Sequence, residues 1–172
     1  MKNKKTSFLV TGALIAAIYA AATYIAAALG IAYGGIQFRF SEALTVLPVF
    51  TPAAIPGLIV GCFLGNLTSP YGMLDIAIGT LATALAAICS YYTRKLTVKG
   101  LPLLSLAFPV IFNALLVGAE VAFFLPEGIS LAGYALSAVQ VGLGELAVCY
   151  GLGLPLFLFL RGNRSRLFES LR

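Results

Sequence analysis

The chain alternates long apolar stretches with short polar breaks. The first stretch is long enough to cross a bilayer at about 1.5 Å of helix rise per residue. Prolines separate the second stretch from the third, because proline lacks a backbone donor and clashes with the preceding turn. The pattern predicts an all-α, polytopic membrane protein that forms a single domain over residues 1–172. The six predicted helices are residues 7–30, 38–50, 53–67, 71–92, 101–125 and 131–160.

The composition argues against a water-soluble domain. Of the 172 residues, 60% are hydrophobic and 10% are charged, whereas soluble domains carry about 25% charged residues. The net charge of +5 does not indicate nucleic-acid binding, because the basic residues cluster at the predicted membrane edges. The first apolar stretch is longer than the hydrophobic region of a signal peptide, so we expect no cleavable signal sequence.

Ten of the eleven basic residues occupy three clusters, and these clusters predict the orientation. The loops 31–37, 68–71 and 126–130 contain no lysine or arginine. Six helices put all three clusters on the cytoplasmic side, whereas five or seven helices would put one cluster outside. Both termini are therefore predicted to be cytoplasmic. The clusters are Lys2, Lys4 and Lys5; Arg94, Lys95 and Lys99; and Arg161, Arg164, Arg166 and Arg172.

A few ionisable residues are stranded inside the apolar stretches. Each would cost about 2.5–3.5 kcal/mol at mid-bilayer, so these residues must face a cavity or one another. The predicted topology puts all of them in the outer half of the membrane, which indicates an outward-facing pocket for a polar solute. They are Arg39, Glu42, Asp75, Glu120 and Glu145.

Two amides accompany these charges. Asn113 lies two helical turns before Glu120, so the two residues share a helix face. Gln140 is also in the outer half, but it is rotated by about 140° from Glu145 around the helix axis. We therefore expect Gln140 and Glu145 not to point at the same ligand.

Other interpretations of the stranded charges stay open. Arg39 and Glu42 are three residues apart and could form a structural ion pair. Glu42 and Asp75 also lie near helix starts, where the helix dipole favours a negative charge. Glu120 and Glu145 have no basic partner in the last three predicted helices, which favours a cationic or donor-rich ligand. A bound proton is the alternative.

The residue inventory argues against an enzyme or a metal protein. Histidine is absent, so zinc, haem and Ser-His chemistry lose their commonest side chain. Cys62, Cys89 and Cys149 lie inside apolar stretches, where the simplest role is a small core residue. We expect no catalytic residue, no metal and no cofactor. A stand-alone channel or proton-coupled carrier stays open as an alternative.

Small residues recur at helical spacing in two predicted helices, and such faces allow close helix approach in a bilayer. In the third helix, Gly57, Gly61 and Gly65 recur every fourth residue, which favours packing within the protein. In the first helix the small residues cover more than one face, so an internal neighbour and a separate partner both stay open. These residues are Ala13, Ala16, Ala17, Ala20 and Ala21.

Two runs make the chain similar to a known family. They are QFRFSEALTVLPVFTPAAIPGLIVGCFLGN at 37–66 and LDIAIGTLATALAA at 74–87. Both resemble the QueT family, the substrate-binding S components of energy-coupling-factor (ECF) transporters for queuosine precursors. The resemblance covers nearly the whole chain. It implies a bacterial cytoplasmic membrane protein whose pocket is built by the outer halves of helices four to six. The loop IAYGGIQ after helix one would cap this pocket.

The resemblance also implies partners. S components dock through small residues of helix one, here the five alanines named above, on a transmembrane T subunit that carries two ATPases. The chain has no GxxxxGK(S/T) phosphate-binding loop, so ATP hydrolysis is expected of those partners.

The ligand that the resemblance implies is 7-aminomethyl-7-deazaguanine. Glu145 or Glu120 would accept the N1–H and N2–H₂ donors of its guanine edge. Asn113, Gln140 or Arg39 would donate to O6. Another purine-like or amine-bearing vitamin stays open as the substrate.

The remaining groups of this ligand are a cation and an aromatic ring. Asp75, Glu120 or Glu42 would bind the aminomethyl cation. Aromatic residues near the outer rim could stack on the ring, although membrane-interface anchoring or packing is the simpler role for each of them. They are Tyr33, Phe38, Tyr71 and Tyr134.

Overall fold

The computed structural model describes residues 4–126, 128 and 130–163. Glu127 and the basic residues Lys2, Arg164, Arg166 and Arg172 lie outside the described residues. Within these ranges the regular secondary structure is helical, apart from one isolated bridge between Val98 and Leu101. The helices are α1 (Lys4–Ala28), a 3₁₀ helix (Phe40–Val49), α2 (Ala54–Gly65), α3 (Met73–Thr93), α4 (Leu103–Phe123) and α5 (Leu131–Gly162).

These helices confirm the all-α prediction, and each boundary falls within three residues of the predicted one. Predicted helices two and three are the 3₁₀ helix and α2, so predicted helices four to six are α3 to α5. Four helices, α1, α3, α4 and α5, are long and apolar enough to cross a membrane, whereas the 3₁₀ helix and α2 are shorter.

The 3₁₀ helix lies at the centre of the bundle, where it contacts all five α-helices. Its ten residues are unusual, because 3₁₀ runs beyond three or four residues are uncommon. Pro48 lies inside it and removes one backbone donor. Its tighter winding gives a rise of about 2.0 Å per residue. This short segment therefore reaches farther across the bundle than an α-helix of the same length would.

Helices α1 and α2 pack closely through the glycines of α2. A Cβ on Gly61 would lie 2.7 Å from the Tyr19 Cβ, and a Cβ on Gly57 would lie 2.7 Å from the Gly12 carbonyl oxygen. A Cβ on Gly65 would meet the Thr23 side chain at 3.0 Å. The glycine spacing thus serves packing within the protein, as predicted.

The five alanines of α1 divide between two faces. Ala16 and Ala20 are buried inside the chain, so they serve internal packing in addition to any partner contact. The other three are exposed and recur every fourth residue along one face of α1. We call this face the alanine face; it consists of Ala13, Ala17 and Ala21.

Apart from Arg39, the described basic residues gather at one end of the bundle. Arg161 Nη1 donates to the Gly100 carbonyl at 2.8 Å, which joins the end of α5 to the loop after α3. The start of α1 lies beside Thr51–Ala53, the connection that follows the 3₁₀ helix. We call this the basic end.

Exposure is inverted relative to a water-soluble protein. Apolar side chains such as Leu131 and Met73 are 85% and 79% exposed, whereas Arg39, Glu42 and Asp75 are 3% exposed or less. An apolar shell around buried charges suits a lipid environment, because lipid solvates the shell and cannot solvate the charges.

Candidate functional site

Six predicted site residues are buried, each at most 3% exposed, and we call them the polar cluster. Arg39 ends the loop after α1, here called the first loop (residues 29–39). Glu42 and Asp75 lie in the first turns of the 3₁₀ helix and of α3. The remaining three come from the last two helices. The full set is Arg39, Glu42, Asp75, Asn113, Glu120 and Glu145.

Arg39 is tethered on several sides. Its Nη2 forms a salt bridge with Asp75 Oδ1 at 3.2 Å. Its Nη1 donates to Asn66 Oδ1 at 3.3 Å, and its Nε donates to the Ala32 carbonyl at 3.3 Å. The guanidinium carbon also lies 5.4 Å from the centre of the Tyr33 ring. This many contacts hold Arg39 as a rigid part of the site.

Of the alternatives left open for Arg39, the salt bridge with Glu42 is not formed, since the salt-bridge partner of Arg39 is Asp75. Arg39 precedes the 3₁₀ helix in an extended conformation, with φ −87° and ψ 100°. The rule that residues three apart share a helix face does not apply to it. Its side chain instead reaches α2 and α3.

Asn66 completes this group, and the sequence analysis missed it. Its Nδ2 donates to the Asp75 carbonyl at 2.9 Å and lies 3.4 Å from Asp75 Oδ1. A Cβ on Gly79 would lie 2.5 Å from Asn66 Nδ2, so this glycine makes room for the amide. The available signal was an amide in an apolar stretch, the same signal that singled out Asn113.

Glu42 points toward α1. Its Oε1 accepts a hydrogen bond from the Tyr19 hydroxyl, and its Oε2 is buried without a hydrogen-bond partner among the described residues. Beside it, the Thr23 hydroxyl donates to Ser41 Oγ at 2.8 Å. Sequence reasoning missed Tyr19, because a tyrosine in an alanine-rich helix cannot be told from a packing residue.

Helix α4 contributes polar groups that lack hydrogen-bond partners among the described residues. Both carboxylate oxygens of Glu120 and the Nδ2 of Asn113 are buried without a hydrogen-bond partner among the described residues. Asn113 interacts electrostatically with Glu145, whose Oε2 lies 3.7 Å from Cys149 Sγ. A buried polar group without a partner costs about 1–3 kcal/mol. The cluster therefore has acceptors and a donor to offer a ligand.

The electrostatics of the cluster favour a cationic or donor-rich ligand. The cluster contains four acids and one base. Glu145 lies within electrostatic reach of Glu42, and Glu120 lies within reach of Asp75. Arg39 is already paired with Asp75. A ligand that brings positive charge or several N–H donors would balance this excess of acceptors.

Two π-helical turns interrupt the last two helices near the cluster. They span Asn113–Val117 in α4 and Cys149–Gly153 in α5. Such turns are rare and occur frequently at functional sites. Asn113 and Glu120 are both buried. The first π-helical turn separates these two residues, and they have different neighbours. Asn113 interacts with Glu145, and Glu120 interacts with Asp75.

The first loop packs against α5 beside the cluster. Gly144 lies so close to the backbone of Gln37 that a Cβ would collide with the carbonyl oxygen, and Gln37 itself is buried. A Cβ on Gly35 would lie 2.9 Å from Gln140 Oε1. Gln140 is thus half-buried against the loop, whereas Glu145 belongs to the cluster.

The rim aromatics have contacts within the protein. The Tyr33 hydroxyl donates to the Gly65 carbonyl at 2.9 Å, and burial raises the pKa of this tyrosine. The Tyr71 ring lies 5.0 Å from the ring of Phe124. The Tyr134 hydroxyl donates to a carbonyl of α4 at 3.4 Å. The Tyr33 ring therefore lies beside the Arg39 guanidinium while its hydroxyl is bonded to α2.

Among the described residues, no group of three or more His, Cys, Asp or Glu side chains is arranged to hold a metal ion. The site consists of carboxylates, amides and one arginine, enclosed by helices with an apolar outer surface. These features define a multi-pass membrane protein with an internal polar site.

The chain belongs to the QueT transporter family, whose profile matches residues 9–162. This confirms the resemblance found at 37–66 and 74–87. The "Queuosine precursor transporter QueT" of Lactococcus lactis subsp. cremoris (strain MG1363) is 37% identical over 83 residues. The match covers 48% of this chain and 48% of that protein, so the chain spans about half the length of the curated relative it matches. No solved structure matches the chain.

Proposed function

We propose that this protein is the substrate-binding subunit of an ECF-type importer and takes up a queuosine precursor. Family membership and the name of the Lactococcus relative support the substrate class. The observation that carries the proposal is the pair of buried Glu120 oxygens without a hydrogen-bond partner among the described residues. A ligand with paired N–H donors would satisfy both oxygens at once.

The ligand that suits the cluster best is 7-aminomethyl-7-deazaguanine. Glu120 accepts the N1–H and N2–H₂ donors, and Asn113 Nδ2 donates to O6. The aminomethyl cation binds Glu42, whose Oε2 is unpartnered among the described residues. Arg39 and Asp75 hold one another, so their role is to position the first loop and α3.

The orientation follows from the basic end. With lysines and arginines on the cytoplasmic side, both termini are cytoplasmic and the polar cluster opens outward beneath the first loop. The protein lies in a bacterial cytoplasmic membrane. The alanine face of α1 docks on the transmembrane T subunit, and two partner ATPases supply the energy. The chain itself catalyses no reaction.

Ligand binding in detergent tests the site directly. Glu120→Gln keeps the size of the side chain and removes its charge. A hydrogen bond to a charged group contributes about 1.5–3 kcal/mol, so we expect binding of 7-aminomethyl-7-deazaguanine to weaken about ten- to hundredfold. Glu145→Gln should weaken binding by removing the charge beside Asn113.

The matched control is Tyr150→Phe, which removes a hydrogen bond to the Leu103 carbonyl, near the start of α4. This variant should bind the ligand as the wild type does. If Glu120→Gln and Glu145→Gln both bind with unchanged affinity, the assignment of the site is wrong. Mass spectrometry of ligand that co-purifies with the protein would identify another purine-like or amine-bearing substrate.

Co-purification tests the partner assignment. Ala17→Trp puts a large side chain on the alanine face and should abolish recovery of the T subunit while ligand binding is retained. Val139→Trp is the control, since Val139 is 59% exposed on α5. Substrate uptake in cells that lack the ATPases would contradict the ECF assignment and support a stand-alone carrier.

A further inference from the structure

A second site lies at the basic end, away from the polar cluster. A cavity of about 370 Å³ opens between the end of the 3₁₀ helix, the loop after α3 and the last turns of α5. Arg94, Lys95 and Arg161 line it, and no acidic residue is among its described lining residues. Three cations therefore share one cavity, and their mutual repulsion favours an anionic ligand.

The two arginines are held in place before any ligand arrives. Arg94 Nη1 donates to the Tyr91 carbonyl at 2.6 Å, and its guanidinium carbon lies 3.8 Å from the centre of the Tyr91 ring. Arg161 Nη1 donates to the Gly100 carbonyl at 2.8 Å. Each guanidinium has five N–H donors, so one carbonyl bond leaves several for an anion. Groups that are already ordered lose less entropy on binding.

Gly100 is needed for this arrangement. Its φ is 78°, a left-handed conformation that favours glycine, and a Cβ there would lie 3.0 Å from Arg161 Nη1. The positive-inside rule accounts for basic residues on the cytoplasmic side, but it does not require arginines from two separate elements to converge. Their convergence around one cavity indicates a binding site.

The other side of the cavity is apolar. Val49, Phe50 and Phe157 line it, and the two phenylalanine rings lie 5.2 Å apart. In a membrane protein, loops between spanning helices lie near the level of the lipid headgroups. We propose that this cavity binds the phosphate group of an anionic phospholipid, with the arginines on the phosphate and the lipid stem against the apolar side.

Native mass spectrometry of the purified protein in detergent tests this proposal, with phosphatidylglycerol as the probe and phosphatidylcholine as the neutral comparison. A basic residue that lies against the bound headgroup favours an anionic lipid about fivefold. Lys95→Gln should therefore weaken phosphatidylglycerol binding about fivefold, and Arg94→Gln/Arg161→Gln about 25-fold. Lys95 is exposed, so its variant should fold even if the double variant does not.

The matched control is Lys99→Gln, which removes a charge from the same loop outside the cavity lining. It should leave phosphatidylglycerol binding unchanged. The proposal is overturned if Lys95→Gln and Lys99→Gln weaken binding equally, or if phosphatidylcholine binds as tightly as phosphatidylglycerol. Displacement of phosphatidylglycerol by millimolar inorganic phosphate would instead assign the cavity to free phosphate and overturn the lipid assignment.

Discussion

Removing Arg39 should strongly destabilise the protein, because its carboxylate partner is completely buried. Asp75 is 0% exposed and lies 3.2 Å from Arg39, which is 3% exposed. Arg39→Gln would leave the Asp75 charge uncompensated. Breaking a buried ion pair in this way costs about 3–5 kcal/mol. Asp75→Asn should cost a similar amount, since it leaves the buried guanidinium without its carboxylate.

The double variant Arg39→Gln/Asp75→Asn distinguishes the cost of an unpaired buried charge from the cost of altered packing. Both charges are gone, so no unpaired charge remains in the interior. If the two single changes were independent, their costs would sum to about 6–10 kcal/mol. We expect the double variant to cost no more than either single change, because exchanging a complete buried pair for neutral side chains is often nearly neutral.

Thermal unfolding in detergent with a thiol-reactive fluorophore measures these costs. Cys62 and Cys149 are buried and become reactive on unfolding, whereas Cys89 is partly exposed and contributes to the baseline. At about 2–4 °C per kcal/mol for a chain of this size, each single variant should lower Tm by about 6–20 °C. The control Lys95→Gln removes an exposed charge at the basic end and should shift Tm by less than about 3 °C.

Two results would refute this reasoning. Single variants as stable as the Lys95→Gln control would show that the buried pair contributes little. A double variant that loses the sum of the two single effects would show that Arg39 and Asp75 act independently and that the contact at 3.2 Å carries no coupling energy.

Three further outcomes follow from the packing. Gly61→Val should lower Tm, because overpacking of the α1–α2 contact costs about 1–3 kcal/mol. The control Gly151→Val should cost less, since the space around its Cβ position is open, and equal losses at both positions would contradict close packing as the cause. Tyr19→Phe removes the only described hydrogen-bond donor to the side chain of Glu42. It should lower the stability measured in the same thermal assay by about 1–3 kcal/mol, and an unchanged Tm would show that the bond contributes nothing. Gly144→Ala should push the first loop off α5 and raise the ligand dissociation rate in a stopped-flow experiment, and an unchanged rate would mean that the loop does not cover the site.

The helical architecture was predictable because it depends on local pattern. Apolar runs of bilayer length, ended by proline, glycine or charge, located all six helices within three residues of their boundaries. The buried charges were predictable for a similar reason, since an ionised group in an apolar run must avoid lipid. Glu42, Glu120 and Glu145 were thereby identified as internal before any packing was known.

The partners of those charges were not predictable in the same way. The sequence offered Glu42 as the nearest carboxylate to Arg39, yet the salt bridge joins Arg39 to Asp75, 36 positions along the chain. Asn66 and Tyr19 bond to cluster residues 9 and 23 positions away. Such contacts depend on how whole helices are rotated and stacked, which no local spacing encodes.

Helical pitch was likewise a property of the assembled bundle. The 3₁₀ winding of Phe40–Val49 and the π-turns at Asn113 and Cys149 occur in runs that the apolar pattern treats as ordinary α-helix. Residue order was sufficient to place the charges inside a membrane protein, because burial of a charge depends on its immediate surroundings. The packed helices set which charges pair and which described oxygens are left without a hydrogen-bond partner, because those contacts join residues that only the fold brings together.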